Sequence, residues 1–146
     1  MDLIDNPPKF DIYDTDWSIF SRNTALAPQY VGVDAKISDS TIAQGSTVCG
    51  NVSHSVVFSN VQIGEGSQVS DSVIMPGVKI GKNVTINKAV IGADAVIGDG
   101  ATIGISEDDS SPYISGMCTG GIVLIEGGAL VPEKSDIPKC AMFEIR

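Results

Sequence analysis

The sequence predicts an all-β solenoid, a coil with three short faces per turn, and three observations carry that prediction. Aliphatic residues recur in steps of six, six and five between positions 31 and 103. One step is shortened, and the shortening leaves the whole pattern in register. The composition suits short strands and tight turns: Gly supplies 16 of 146 residues, while aromatics are 5% and charged residues 18%. Good helix formers such as Leu, Glu, Arg and Lys are scarce, whereas Val, Ile and Ser are abundant.

The aliphatic steps resolve into three columns. Val31, Val48, Ile63, Ile80 and Ile97 form the first, Ile37, Val52, Val69, Ile86 and Ile103 the second, and Ile42, Val57, Ile74 and Ile91 the third. Successive members lie 17 residues apart except at one place, where all three columns step by 15. The shortfall sits between Val48 and Val52, as if the corner Cys49-Gly50-Asn51 had lost two residues. A helix would repeat near 3.6 residues and a coiled coil near 3.5, so neither fits. Hairpins would need a turn signal every 8–12 residues with alternation between. In a three-faced coil each face instead contributes one inward aliphatic. Gly45, Gly64, Gly66, Gly77, Gly81, Gly98 and Gly100 lie at or near the corners, where Gly tolerates positive φ at little cost. Stacked turns then bury the columns as one continuous apolar stripe.

Units such as Ile80-Gly-Lys-Asn-Val-Thr85 and Ile97-Gly-Asp-Gly-Ala-Thr102 are hexapeptide repeats. They resemble the left-handed parallel β-helix of acyltransferases and of sugar-nucleotide pyrophosphorylase C-terminal domains. That resemblance implies the left hand and about four to five rungs over residues 31–104, the β-helix domain.

Residues 1–30 form a lead-in of different character, rich in Asp and Pro and carrying the only Trp, Trp17. An acidic, Pro-containing stretch reads as an extended connector, but Trp17-Ser-Ile19-Phe20 calls for burial. Two readings stand: a cap over the open end of the coil, or a strap onto a neighbouring domain or subunit. Residues 105–146 are expected as a solvated loop, an edge strand and a tail. The strand, Gly121-Ile-Val-Leu-Ile-Glu126, returns to cover the exposed edge of the last rungs.

A net charge of −9 excludes the basic stripe of a nucleic-acid surface. No apolar run approaches the roughly 20 residues of a membrane span, and no apolar segment of a secretory signal follows the acidic N-terminus. Cys49, Cys118 and Cys140 form neither a CxxC pair nor a zinc spacing, so reduced thiols and a cytoplasmic location are expected.

His54 is the only histidine. In Asn51-Val-Ser-His-Ser55 it falls near a corner, where a histidine serves as general base in hexapeptide acyltransferases or simply as a solvated turn residue. A zinc-dependent carbonic anhydrase of this architecture needs three histidines and is excluded. Ile63-Gly-Glu-Gly66 contains a GxG, but no helix pattern follows to cradle a phosphate. Lys79, Lys82 and Lys88 lie within ten residues of one another. They are read either as solvated lysines or, with Arg22 arriving from the lead-in, as an anion site for a phosphorylated effector.

Several phrases narrow the family. Met1-Asp-Leu-Ile4, Asp16-Trp-Ser-Ile-Phe-Ser-Arg-Asn23, Pro28-Gln-Tyr30, Ser55-Val-Val-Phe58 and Ser72-Val-Ile-Met-Pro-Gly77 resemble bacterial glucose-1-phosphate adenylyltransferase, where such a lead-in joins a nucleotidyltransferase domain to a C-terminal β-helix. The resemblance implies an enzyme of glycogen synthesis making ADP-glucose and pyrophosphate from ATP and glucose 1-phosphate. Its Gly-rich nucleotide loop, metal-binding Asp and sugar-phosphate lysine belong to the N-terminal domain, with Mg2+ and ATP. This chain therefore carries no catalytic residue, metal site or cofactor of its own and is expected to be inactive alone. It is expected to help assemble a homotetramer, to contact its own catalytic domain and identical subunits, and to share in an allosteric effector site. The alternative is a free-standing acyltransferase using His54, or a trimeric scaffold.

Overall fold

The computed structural model describes residues 14, 16, 25–106 and 120–143. These contain 18 strands of two or three residues and no helix. The first turn of the coil is β1 (Tyr30–Val31), β2 (Ile37–Ser38) and β3 (Thr41–Ile42). The second is β4 (Thr47–Val48), β5 (Asn51–Ser53) and β6 (Val56–Val57). The third is β7 (Gln62–Ile63), β8 (Gln68–Ser70) and β9 (Val73–Ile74). The fourth is β10 (Lys79–Ile80), β11 (Thr85–Asn87) and β12 (Ala89–Ile91). The fifth is β13 (Val96–Ile97), β14 (Thr102–Ile103) and β15 (Val123–Ile125). The sixth is β16 (Leu130–Val131), β17 (Asp136–Ile137) and β18 (Met142–Phe143).

Every strand pairs in parallel with the strand one turn away, giving three six-stranded sheets wrapped as a parallel β-helix. The expected columns are the observed register. Val48 lies opposite Ile63, Val52 opposite Val69 and Val57 opposite Ile74. The shortened step is accommodated between β4 and β5, so the loss falls in a corner and no strand slips.

Two features go beyond the expectation. There are six turns rather than four to five, because the segment expected as edge strand and tail continues the coil. β15 does return to cover the edge of β12, and β16, β17 and β18 then add a further turn. The reason lies in Ile125, Val131, Ile137 and Phe143, which repeat at six-residue spacing and extend the inward columns.

The core also holds three corner columns besides the three aliphatic ones. Ser46, Val61, Val78, Ala95 and Ala129 form one, and Ser67, Val84 and Ala101 another. The last comprises Ser55, Ser72, Ala89, Val123 and Ala141. Corners leave room only for small side chains, and a serine there needs a hydrogen bond. Each finds one: Ser46 Oγ donates to the Phe58 carbonyl (2.9 Å), Ser55 Oγ to the Ser53 carbonyl (2.7 Å), Ser67 Oγ to the Gly81 carbonyl (2.7 Å) and Ser72 Oγ to the Ser70 carbonyl (2.6 Å).

Corner glycines divide into two kinds. Gly66 and Gly77 take the left-handed conformation, with φ of 72° and 76°. Gly64 does not, but a Cβ there would strike the Gly81 backbone one turn away. One corner column dispenses with glycine: Asp39, His54, Asp71 and Lys88, between the second and third faces, have φ of 45–50°. Asp tolerates that region, whereas His and Lys hold it at a cost of about 1 kcal/mol or more.

The outer surfaces of the faces differ in chemistry. On the second face the outward column is Asn51, Gln68, Thr85, Thr102 and Asp136, all polar. On the third it is Thr41, Val56, Val73, Val90, Leu124 and Met142, with no charge.

Candidate functional site

Two corners carry titratable side chains stacked on successive turns. At the corner between the first and second faces, Glu65, Lys82 and Asp99 stack on successive turns. The Glu65–Lys82 pair follows from the 17-residue period, which sets these residues one above the other. Lys82 Nζ donates to Glu65 Oε2 at 2.9 Å, and the Lys82 backbone N–H donates to Asp99 Oδ1 at 2.8 Å. Glu65 is held below the usual carboxylate value by the Lys82 hydrogen bond and then by its charge. Lys82 is raised by the same two effects from Glu65. The folded Glu65 is thus the stronger acid, so its share of stability is lost as pH falls below the carboxylate range. The Lys82 share is lost only above the lysine range. Both side chains are exposed, which leaves the pair flat through neutral pH and of little weight for stability.

Two grooves lie beside this corner, at the shortened step. One groove of about 570 Å³ is lined by Tyr30, Val33, Asp34, Cys49, Asn51 and Glu65, among others. A second of about 530 Å³ shares Cys49 and Glu65 and runs past Gln62 to Lys82 and Asp99. Cys49 is a half-buried free thiol on their common wall. Lys82 is the only base in either groove, against three carboxylates in Asp34, Glu65 and Asp99.

At the corner between the second and third faces, His54 Nδ1 sits 2.6 Å from Asp71 Oδ1. Both are part-exposed. The carboxylate holds the ring at Nδ1, the arrangement of an oriented base. Asp71 lies 17 residues after His54, one turn of the coil. That period was in the sequence, and adding one repeat to the lone histidine finds its partner.

Of the four expected effector residues, the three lysines among the described residues lie at different places on the coil. Arg22 lies outside the described residues. Lys79 points outward from β10 on the first face, and Lys82 occupies the corner that follows. Lys88 lies at the next corner, beyond β11, so one full face separates it from Lys82. Among the described residues no three His, Cys, Asp or Glu side chains group as metal ligands. No helix there is long and apolar enough to cross a membrane. The expectation of three reduced thiols is corrected at Cys140, which is disulfide-bonded, while Cys49 is free.

Residues 25–125 match the model of a family described as GlmU-like, C-terminal hexapeptide. A glucose-1-phosphate adenylyltransferase of Thermotoga maritima is 45% identical over 145 residues, covering 99% of this chain and 34% of the relative. One from Clostridium botulinum is 45% identical over 67 residues, 46% of this chain and 17% of the relative. The chain therefore spans at most about a third of the length of these relatives. Among solved structures, the acetyltransferase domain of PglB from Neisseria gonorrhoeae superposes with a TM-score of 0.59 at 21% identity, covering 80% of this chain and 54% of that one. At that identity the likeness is one of fold.

Proposed function

Because the chain belongs to the GlmU-like C-terminal hexapeptide family, we propose that it is the regulatory and oligomerisation domain of a glucose-1-phosphate adenylyltransferase acting in the cytoplasm. The observation that carries this reading is the 45% identity running over 99% of the chain. That match includes the lead-in and the insert between β14 and β15, where a generic solenoid has no reason to agree. The parent reaction converts ATP and glucose 1-phosphate to ADP-glucose and pyrophosphate, as a step of glycogen synthesis. Its Mg2+ and both substrates are assigned to the part of the parent that this chain does not cover. The role left to the coil is to hold that domain and identical subunits in an assembly and to take part in effector control.

Within this reading, Lys79 and Lys82, with Arg22 from the lead-in, form the anion site for a phosphorylated effector. Lys88 stands one face away from Lys82, at the next corner. An effector phosphate would draw Lys82 from Glu65, an exchange of one exposed carboxylate for a doubly charged anion. Immunoblotting of source cells with an antibody to this chain should show a band at about three times its mass, as a catalytic plus a β-helix domain requires. The enzyme in that band should bind sugar phosphates calorimetrically, and Lys79→Ala with Lys82→Ala should weaken binding by about tenfold or more. A band at 15.2 kDa would overturn the reading.

One observation favours a second reading, a free-standing acyltransferase: the His54–Asp71 pair at 2.6 Å has the form of an oriented base. In that case the chain would be a stable trimer that binds coenzyme A, and His54→Ala would abolish acetyl transfer to a hydroxyl. On the reading preferred here, His54→Ala leaves effector binding unchanged and no coenzyme A binds.

A further inference from the structure

We propose that the third face docks a second copy of this chain, antiparallel, about a two-fold axis that passes through the groove between Asp71 and Lys88. The proposal deepens the assembly role above and rests on it for the identity of the partner, but the surface is argued from its own chemistry.

The third face is the one whose outward column carries no charge. Beside that column Phe58 is 40% exposed, and within it Leu124 and Met142 are 40% and 41% exposed. Such a stripe on the outside of a solenoid marks an interaction surface. A chain of net charge −9 repels its own copies. Two copies therefore meet at least cost where charge is absent or self-complementary, and this face offers both. The sheet has six strands. At ~4.8 Å each it is roughly 25–30 Å long, and two such faces bury about 1,000 Å², enough for a specific contact.

Charge sets the direction. A groove of about 270 Å³ along the face is lined by Asp71, Val73, Lys88, Val90 and Ile122. Asp71 and Lys88 are neighbours in one corner column, on the third and fourth of the six turns, at the middle of the coil. Among the described residues Lys88 has no ion-pair partner in its own chain. Turning a second copy end for end about the middle of the face sets the third turn against the fourth. Asp71 of each copy then faces Lys88 of the other, Val73 faces Val90, and Val56 faces Leu124. A parallel two-fold would instead set Lys88 against the corner that carries Asp94 and leave Asp71 opposite Gly77, satisfying one charge of the two. The antiparallel arrangement gives Lys88 a partner twice over, with each Asp71 carboxylate shared between His54 of its own chain and Lys88 of the other.

Sedimentation equilibrium of the 146-residue chain tests this. The expected species has twice the 15.2 kDa chain mass at micromolar concentration. Asp71→Lys and Lys88→Asp should each weaken dimerisation by about tenfold or more, because each sets like charges together across the axis. The double exchange should restore it to within a few-fold of the original, since it swaps the signs and keeps the pairs. Asp and Lys both hold positive φ at this corner in the parent chain, and the thermal midpoint of each variant checks that it folds. A monomeric parent chain would overturn the proposal and leave the face to another part of the longer protein or to residues 107–119. Loss with Lys88→Asp alone would replace the antiparallel arrangement with the parallel one, and failure of the double exchange would also overturn it. None of these outcomes depends on the immunoblot or on sugar-phosphate binding, so the function reading stands or falls separately.

Discussion

Replacing Ile86 with Ala should destabilise the coil by about 2–5 kcal/mol, the cost of removing a large aliphatic from a packed core. Ile86 is fully buried in β11 at the fourth turn, between Val69 below and Ile103 above. Neither neighbour can close the gap without leaving its own strand register, so the cavity persists. In a domain of this size the thermal midpoint should fall by roughly 5–15 °C, read by differential scanning calorimetry. Ile37 belongs to the same column but lies in the first turn, 38% exposed. Ile37→Ala should cost well under half as much. Equal losses at the two positions would mean that the coil melts from its end, and that the middle of the column is no better packed than its edge.

The second large effect concerns a hydroxyl. Ser72 is fully buried, and its Oγ accepts the Ala89 backbone N–H at 3.1 Å while donating to the Ser70 carbonyl. The Ser70 carbonyl retains a second donor, the Lys88 N–H at 3.2 Å. In Ser72→Ala the Ala89 amide would be left buried without a partner, which costs about 1–3 kcal/mol. Hydrogen exchange locates the effect: protection at the Ala89 amide should drop more than protection at Val90 or Ile91. Ser55 stands one turn below and donates in the same way, with its Oγ accepting the Ser72 N–H at 3.1 Å. The double variant Ser55→Ala with Ser72→Ala should therefore deviate from additivity. An unchanged midpoint for Ser72→Ala would show that water reaches the Ala89 amide and that this corner is not dry.

These two residues also mark what the sequence discloses and what it withholds. Ile86 was legible because inward aliphatics on a three-faced coil have one spacing, and nothing but the core requires it. Ser72 was not, because a corner serine reads the same whether its hydroxyl meets solvent or the backbone of the next turn. The sixth turn lies between these cases. Ile125, Val131, Ile137 and Phe143 carry the six-residue spacing openly, but the insert before β15 breaks the count, and a period read continuously from Val31 stops at Ile103. Among the candidate site residues, the spacing of Lys82 and Glu65 made their contact readable in principle. The separation of Lys82 from Lys88 was not readable from proximity in the chain. Six residues are one face of the triangle, enough to carry a side chain round to a different side of the molecule.

The same triangle shows where the chain tolerates a change of length. Two residues are missing at Cys49-Gly50-Asn51, and many more residues separate β14 from β15 than separate other neighbouring strands, yet the strands on either side of both keep register. Faces are rigid in residue number and corners are not. Descent can therefore alter such a molecule by cutting and splicing at its edges, losing a few residues or gaining a whole excursion, while the interior records nothing. For protein engineering the same property marks the edges as grafting points: a foreign loop set between Asn60 and Val61, or between Asp94 and Ala95, should be carried without disturbing its neighbours.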